Sequence, residues 1–469
     1  MNMLSLLAAN GALSLSRRQL HRFGLAGASS LPFLGHLGAS ESLPASAKHC
    51  IYIYLCGGPS QMDLWDPKPD APVGIRTTFK PIETNVPGIR FTELIPNVAR
   101  HADKLAVIRS MNHSSPDHTF GSAHTLEGRR PRSPADLYVA PTDHPSLGAI
   151  LQKLRGESGL VPPWVVLPRY FTTSSPPVKG QSGGFLGPAY DAVALDEPKI
   201  DSLAPKDLKY SGFRLPDQVS QSRFDMRRQL MGHSPLITSL ALEERWNALA
   251  ERASAMLGGE LSSRAFDLTL EDSRMRDRYG RNEYGQSFLL ARRLIESGVR
   301  FVNVFWTFFD KQGCQFNLWD NHGVATDICG VGGVRKGVDM LTHQYCTPSF
   351  DRAFPALLED LESRGMLDET LVVVAGEFGR TPKINDMAGR DHWPNCYTQL
   401  MAGGGVRGGQ IYGESDKIGA YVKDKPVSPE DFHATVLHAF GVDPDTFIRD
   451  HLDRPIRVTE GQPLRSLFG

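Results

Sequence analysis

The apolar run Leu371-Val-Val-Val-Ala375 passes without a break into Gly376-Glu377-Phe378-Gly379-Arg380. A run this short, rich in β-branched residues and closed by glycine, reads as a strand covered on both faces. Similar runs occur at residues 51–56, closed by Gly57-Gly58-Pro59, and at residues 105–108, 164–167 and 299–306. Between them lie patterns of helical period at residues 220–257, 275–297, 350–364 and 429–440, the last with Ser428 as N-cap. Strands that alternate with helices predict an α/β fold, a mostly parallel central sheet flanked by helices. In such sheets ligands gather outside the carboxyl ends of the strands.

The chain has 469 residues, 41% hydrophobic and 22% charged, which excludes a disordered, collagenous or coiled-coil protein. Lys+Arg number 51 against Asp+Glu 52, so no basic excess points to nucleic acid. No apolar run approaches the roughly 18–20 residues that span a bilayer. The first 47 residues read as a targeting signal. Arg17-Arg18 and Arg22 precede a weakly apolar stretch at 23–37, and Ala45-Ser46-Ala47 has the form of a cleavage site. Paired arginines before a weak apolar segment resemble a twin-arginine signal, which implies a periplasmic or otherwise exported protein. Residues 48–469 then form one α/β domain, with a Pro/Gly-rich, partly helical insertion at about 131–260. Among the six cysteines, Cys314 with Cys329 or Cys346 is the cheapest disulfide, and small buried hydrophobes are the equal alternative.

Four polar clusters follow strands. In the first, Gly57 and Gly58 let backbone amides approach an anion beside Ser60, and Asp63 can serve a metal; a tight turn capped by Asp63 and Asp66 has the same pattern. The second gathers His113, Asp117, His118 and His124 after a strand, and a helix from Thr119 onward would place hydroxyls and N–H groups at its amino end, a natural anion site. The third is Asp320-Asn-His322, and a carboxylate with an imidazole suits zinc, manganese or iron better than magnesium or calcium. The fourth is Gly376-Glu-Phe-Gly-Arg-Thr-Pro382 with Gly389-Arg-Asp-His-Trp-Pro394. There a carboxylate at a buried strand end needs a metal or an arginine. Arg380 can neutralise Glu377 or hold an oxyanion bidentately, and Asp391-His392 adds another pair. His433 and His438, five apart on one helix, do not share a face.

Taken in order, these motifs and the terminal Ala402-Gly-Gly-Gly-Val-Arg-Gly-Gly409 resemble the exported domain-of-unknown-function proteins grouped with the alkaline phosphatase/sulfatase superfamily. The resemblance implies an alkaline-phosphatase-like α/β sheet, a divalent metal site and a group that attacks a phosphoryl or sulfuryl centre. Carried over, Glu377 stands for the aspartate of the superfamily's Asp-His pair and His392 for its later single histidine. Asp320 and His322 stand for the preceding metal motif. Counting ten residues back from Gly128 places His118, preceded by Asp117, at the nucleophile position. Three positions depart from the pattern. Phe378 replaces the paired histidine, Cys56 or Gly57 replaces the first-strand aspartate and leaves Asp63 as substitute, and His118 replaces a Ser, Thr or Cys.

The expectation is an exported metal-dependent hydrolase of phosphate or sulfate esters on a small molecule or glycan. His118, Arg380 and Asp117 would serve catalysis. Asp320, His322, Glu377, Asp391, His392 and Asp63 would supply metal ligands, and Gly57, Gly58 and Ser60 an anion site. The alternative is a degenerate relative that binds an anionic glycan or a protein partner without turnover.

Overall fold

The computed structural model describes residues 46–133, 136–156, 161–173, 176–195, 260–309, 315–317, 319–323 and 336–469, with a few single positions at 198–226, 311 and 313. The expected targeting signal up to residue 45, and nearly all of the helix expected at 220–257, lie outside the described residues.

Eight strands form the central sheet: β1 (His49–Leu55), β2 (Leu105–Met111), β3 (Trp164–Leu167), β4 (Val193–Ala194), β5 (Phe301–Trp306), β6 (Thr370–Ala375), β7 (Tyr397–Ala402) and β8 (Gln410–Tyr412). Their spatial order is β8-β2-β7-β6-β1-β5-β3-β4. Only β7 runs against the others. The fold is therefore α/β with a mostly parallel sheet. All five apolar runs read from sequence are strands of it.

Helices α1 (His118–Glu127), α2 (Leu147–Arg155), α3 (Ser273–Tyr279), α4 (Glu283–Glu296), α5 (Thr347–Ser363) and α6 (Pro429–Ala439) include those that flank the sheet. The period-two alternation of β1 sorts its side chains into two cores. Ile51, Ile53 and Leu55 join Phe288 of α4 and Phe350 of α5. Cys50, Tyr52 and Tyr54 join Ile150 of α2 and Val436 of α6 on the other face. Burial on both faces is why β1 and β6 read as unbroken apolar runs.

Three expectations change. The helix at 275–297 is two, α3 and α4. Gly280 takes φ +98 and ends the first, and the Asn282 side chain accepts the Gly285 N–H at 2.9 Å and starts the second. Much of the stretch from 131 is core, because α2, β3 and β4 lie in it. Cys346 is a free, buried thiol, as are Cys50, Cys56 and Cys396, so no bridge uses it; Cys314 and Cys329 lie outside the described residues. Ser428 does cap α6, in a reciprocal capping box with Asp431. Among the described residues no helix is long and apolar enough to cross a membrane.

Topology now places the chemistry. β1, β2, β5 and β6 are mutually parallel, so the loops after them leave from one edge. β7 is antiparallel, so the residues that precede it arrive at that same edge.

Candidate metal centre

Where β1 ends, Gly57 and Gly58 take φ of +121 and +76, a region that favours glycine. Space is the second requirement. A Cβ on Gly57 would stand 2.7 Å from the Asp320 amide nitrogen, and one on Gly58 2.6 Å from the Phe378 ring. The pair thus lets the loop close on the segments that follow β5 and β6. The Gly57 N–H donates to Glu377 Oε1 at 2.8 Å. The anion that this amide meets is the chain's own carboxylate.

Glu377 follows β6 and is fully buried. Its Oε1 also lies 2.7 Å from His118 Nδ1, and its backbone oxygen lies 2.5 Å from His113 Nε2. His118 is the first residue of α1, whose N-cap, Asp117, uses its carboxylate to accept the Phe120 N–H at 2.8 Å. With Nδ1 turned to Glu377, His118 presents Nε2 to Asp320 Oδ2 at 3.3 Å. His322 Nε2 reaches the same oxygen at 3.1 Å, and His392 Nε2 lies 3.2 Å from Oδ1. The Nδ1 of His392 is held by the Pro116 carbonyl at 2.8 Å. Three imidazole Nε2 atoms therefore converge on one carboxylate. His118, Asp320 and His392 can offer ligand atoms that all lie within 4.8 Å of one another.

Two buried polar atoms at this centre lack a hydrogen-bond partner: His118 Nε2 and Glu377 Oε2. Buried orphans are costly, and a divalent cation held by His118, Asp320 and His392 would answer the first. The donor set, imidazole with carboxylate, fits zinc, manganese or iron. Nδ1 atoms fixed by a carboxylate and by a carbonyl are the outer hydrogen bonds that set the tautomer of metal-ligating histidines.

Electrostatics agree with the geometry. Burial opposes charge on Asp320, but Arg380 and the three imidazoles hold its carboxyl well below the usual range. Burial likewise opposes charge on His118, yet its bonds to Asp320 and Glu377 carry it up to about 9. The hydrogen bond to Asp320 raises His322 as well. Without a cation the centre carries its positive charge as a proton, with which a metal must compete.

Other expected residues have different places. Arg380 is fully buried and its guanidinium is committed inward. Nε donates to Gly58 O at 2.8 Å, Nη1 to Arg390 O at 3.1 Å, and Nη2 to Gly57 O and Asp320. It positions Asp320, and four of its five N–H donors are spent on that task and on backbone carbonyls. Asp63 is not at the centre: it pairs with buried Arg390 at 2.9 and 3.3 Å and accepts the Ser60 hydroxyl at 2.6 Å. Asp391 is exposed and accepts from Asn385 at 2.9 Å. Sequence reasoning missed Arg390, although it stands inside the Gly389-Arg-Asp-His-Trp motif. It also gave no role to His113, which burial holds down at about 4. A neutral His113 supports the backbone of Glu377.

A mostly parallel α/β sheet with a histidine–carboxylate centre at its carboxyl edge defines the class. Residues 47–468 match the family described as protein of unknown function (DUF1501), and the chain belongs to it. No protein of curated function matches the chain in sequence. Among solved structures it is similar to a phosphonate monoester hydrolase from Silicibacter pomeroyi, at 11% identity over 90% of this chain and 76% of that one, TM-score 0.42. It is similar to a sulfatase from Pseudoalteromonas sp. at 14% identity, over 91% and 72%, TM-score 0.36. The alkaline phosphatase from the Antarctic bacterium TAB5 aligns at 12% identity over 84% and 98%, TM-score 0.34.

Proposed function

We propose that the protein is an exported, divalent-metal-dependent hydrolase of phosphate or sulfate esters, built on an alkaline-phosphatase-like scaffold. The observation that carries this reading is the convergence of His118, His322 and His392 on Asp320, with two of the imidazoles held from behind. His118, His392 and Asp320 would hold the ion, with His322 at its solvent side and Glu377 as the positioning group for His118. Zinc, manganese or iron there would polarise the ester oxygen and lower the pKa of water.

The chain's own residues define the rest. Nδ1 of His118 is held by Glu377, and its Nε2, which has no hydrogen-bond partner, faces Asp320, which suits it to a ligand role rather than to attack. Water is then the nucleophile. The side chains of His118, His322 and His392 are 23%, 31% and 28% exposed, which leaves the centre open to substrate and water. Asp117 keeps its capping role, and Asp320 is held by Arg380 where the imidazoles meet it.

One observation favours the second reading, an anion-binding relative without turnover. Arg380, the guanidinium expected to stabilise developing negative charge, is spent on backbone carbonyls and Asp320. Metal analysis of the mature protein decides first. Near-stoichiometric zinc, manganese or iron, reduced in both His392→Ala and Glu377→Ala, with ester hydrolysis that follows the metal, is the expected result. Retained metal in both variants would falsify the centre. A loaded protein that hydrolyses neither class of ester would leave the binding reading.

A further inference from the structure

The loop that leads into α1 has two sides. On one, the Pro116 carbonyl holds His392. On the other, Ser115 and Asp117 line a groove of about 720 Å³, with Phe120, Pro131 and Leu137 as apolar wall and Arg130 and Arg132 at the rim. That volume lies within the range of roughly 300–1,000 Å³ typical of small-molecule sites. Chain geometry sets the arginines there. α1 ends at Gly128, which takes φ +64, and the returning strand of loop is pinned by the Arg132 N–H on Asp136 at 2.9 Å.

The charge balance of this region is uneven. Arg129 is answered by Glu460, Arg454 by Asp450, and Lys179 by Glu127, Asp136 and Asp143. Among the described residues, neither the Arg130 nor the Arg132 guanidinium has a hydrogen bond or ion pair. Asp117, the acid on the groove, already caps α1. Two guanidinium groups without a hydrogen bond, Arg132 with the Asp136 carboxylate in its field, stand above an apolar wall on the loop whose Pro116 carbonyl holds His392, and they are complementary to an anion carried on an apolar body such as a sugar ring.

We propose that this groove binds a second anionic group of the substrate, held by Arg130 and Arg132, while the ester to be hydrolysed lies at the Asp320 centre. The substrate class is then an ester with two anionic groups, and the assignment rests on the hydrolase reading above. Arginine rather than lysine suits the task, because its planar fork meets a sulfate, phosphate or carboxylate with two parallel donors.

The test is calorimetric binding to the zinc-loaded full chain of one disaccharide in two forms, with one sulfate and with two. The doubly sulfated form should bind about tenfold tighter, the factor expected of one charge-assisted hydrogen bond. Arg130→Gln/Arg132→Gln should bring the two forms near parity, and Arg130→Lys/Arg132→Lys should keep part of the preference. Lys48→Gln/Lys423→Gln, which removes the same charge elsewhere, should leave the preference intact. Equal binding of both forms by the wild type, no binding of either, or equal loss in the lysine control overturns the groove. A wild-type chain that takes up no metal yet keeps the arginine-dependent preference upholds the groove and overturns the hydrolase.

Discussion

Glu377 Oε1 lies 2.7 Å from His118 Nδ1, and the same oxygen receives the Gly57 N–H at 2.8 Å. This carboxylate thus ties the ends of β1 and β6 to the start of α1, and it aims His118 Nε2 at Asp320. Glu377→Gln keeps the volume but removes the charge that fixes the tautomer. Loss of such an outer partner typically costs about 10–100-fold in metal affinity. Competition with a chromogenic chelator should show a loss in that range. An unchanged affinity would remove Glu377 from the centre.

Arg380 is the buried partner of the part-buried Asp320. Arg380 is fully buried, so Asp320→Ala strands its charge. Removal of one partner of such a pair costs about 3–5 kcal/mol. Urea unfolding of the metal-free protein should show a loss of that order, separate from any effect on metal. Arg380→Lys should recover only part of the stability, because one ammonium cannot span Gly57 O, Gly58 O, Arg390 O and Asp320. A metal-free Asp320→Ala as stable as the parent would show that Arg380 is held by its carbonyl partners alone.

Local signals were legible in the sequence, and long-range partners were not. The apolar runs gave five strands because β1, β2, β3, β5 and β6 are covered on both faces. β7, with Thr398 and Gln399 inside it, carries no such signature although it is wholly buried. Gly280 and Asn282 mark the end of α3 and the start of α4, but the charged period continues through them and masks the break. At the site, His118, Asp320, His322, Glu377 and His392 are brought together as their positions after strands suggested. Asp63 and Arg380 went differently for one reason. What each does is set by a partner far away in the chain, Arg390 for the first and the carbonyls of Gly57 and Gly58 for the second. A glycine pair after a strand reads as an anion loop, whereas here it is the space that Asp320 and Phe378 occupy.

That account of the glycine pair has its own consequence. Gly57→Ala meets both a φ of +121 and a Cβ 2.7 Å from the Asp320 nitrogen. Gly74→Ala meets a φ of +86 with nothing within 4 Å. Strained backbone alone costs of order 1–3 kcal/mol, which is the loss expected for Gly74→Ala, with metal uptake intact. Gly57→Ala should lose more stability and should also lose metal, because Asp320 must move. Equal behaviour of the two variants in unfolding and metal analysis would show that conformation, not contact, explains the glycine.

Glu127 supplies a pH dependence outside the metal centre. It closes α1, is 3% exposed, and has Lys179 Nζ at 3.8 Å. Burial pushes its carboxyl up to about 8; Lys179 opposes the shift, and Asp143 and Asp136 add to it. A carboxylate at a helix C-terminus is unfavourable as well. The folded value lies above the ordinary glutamate value of 4.5, so the folded state binds the proton more tightly than the unfolded chain. The stability tied to that proton is complete below about pH 4.5 and is lost as pH rises through about 8. His118, raised to about 9, loses its contribution over an overlapping but more alkaline range, in parent and variant alike. Glu127→Gln removes one titration and leaves the other. Melting temperatures of metal-free parent and variant should therefore agree near pH 5 and diverge by pH 9, where the glutamine variant is the more stable. A parent that matches or exceeds the variant at pH 9 would mean that Lys179 holds Glu127 ionised without penalty.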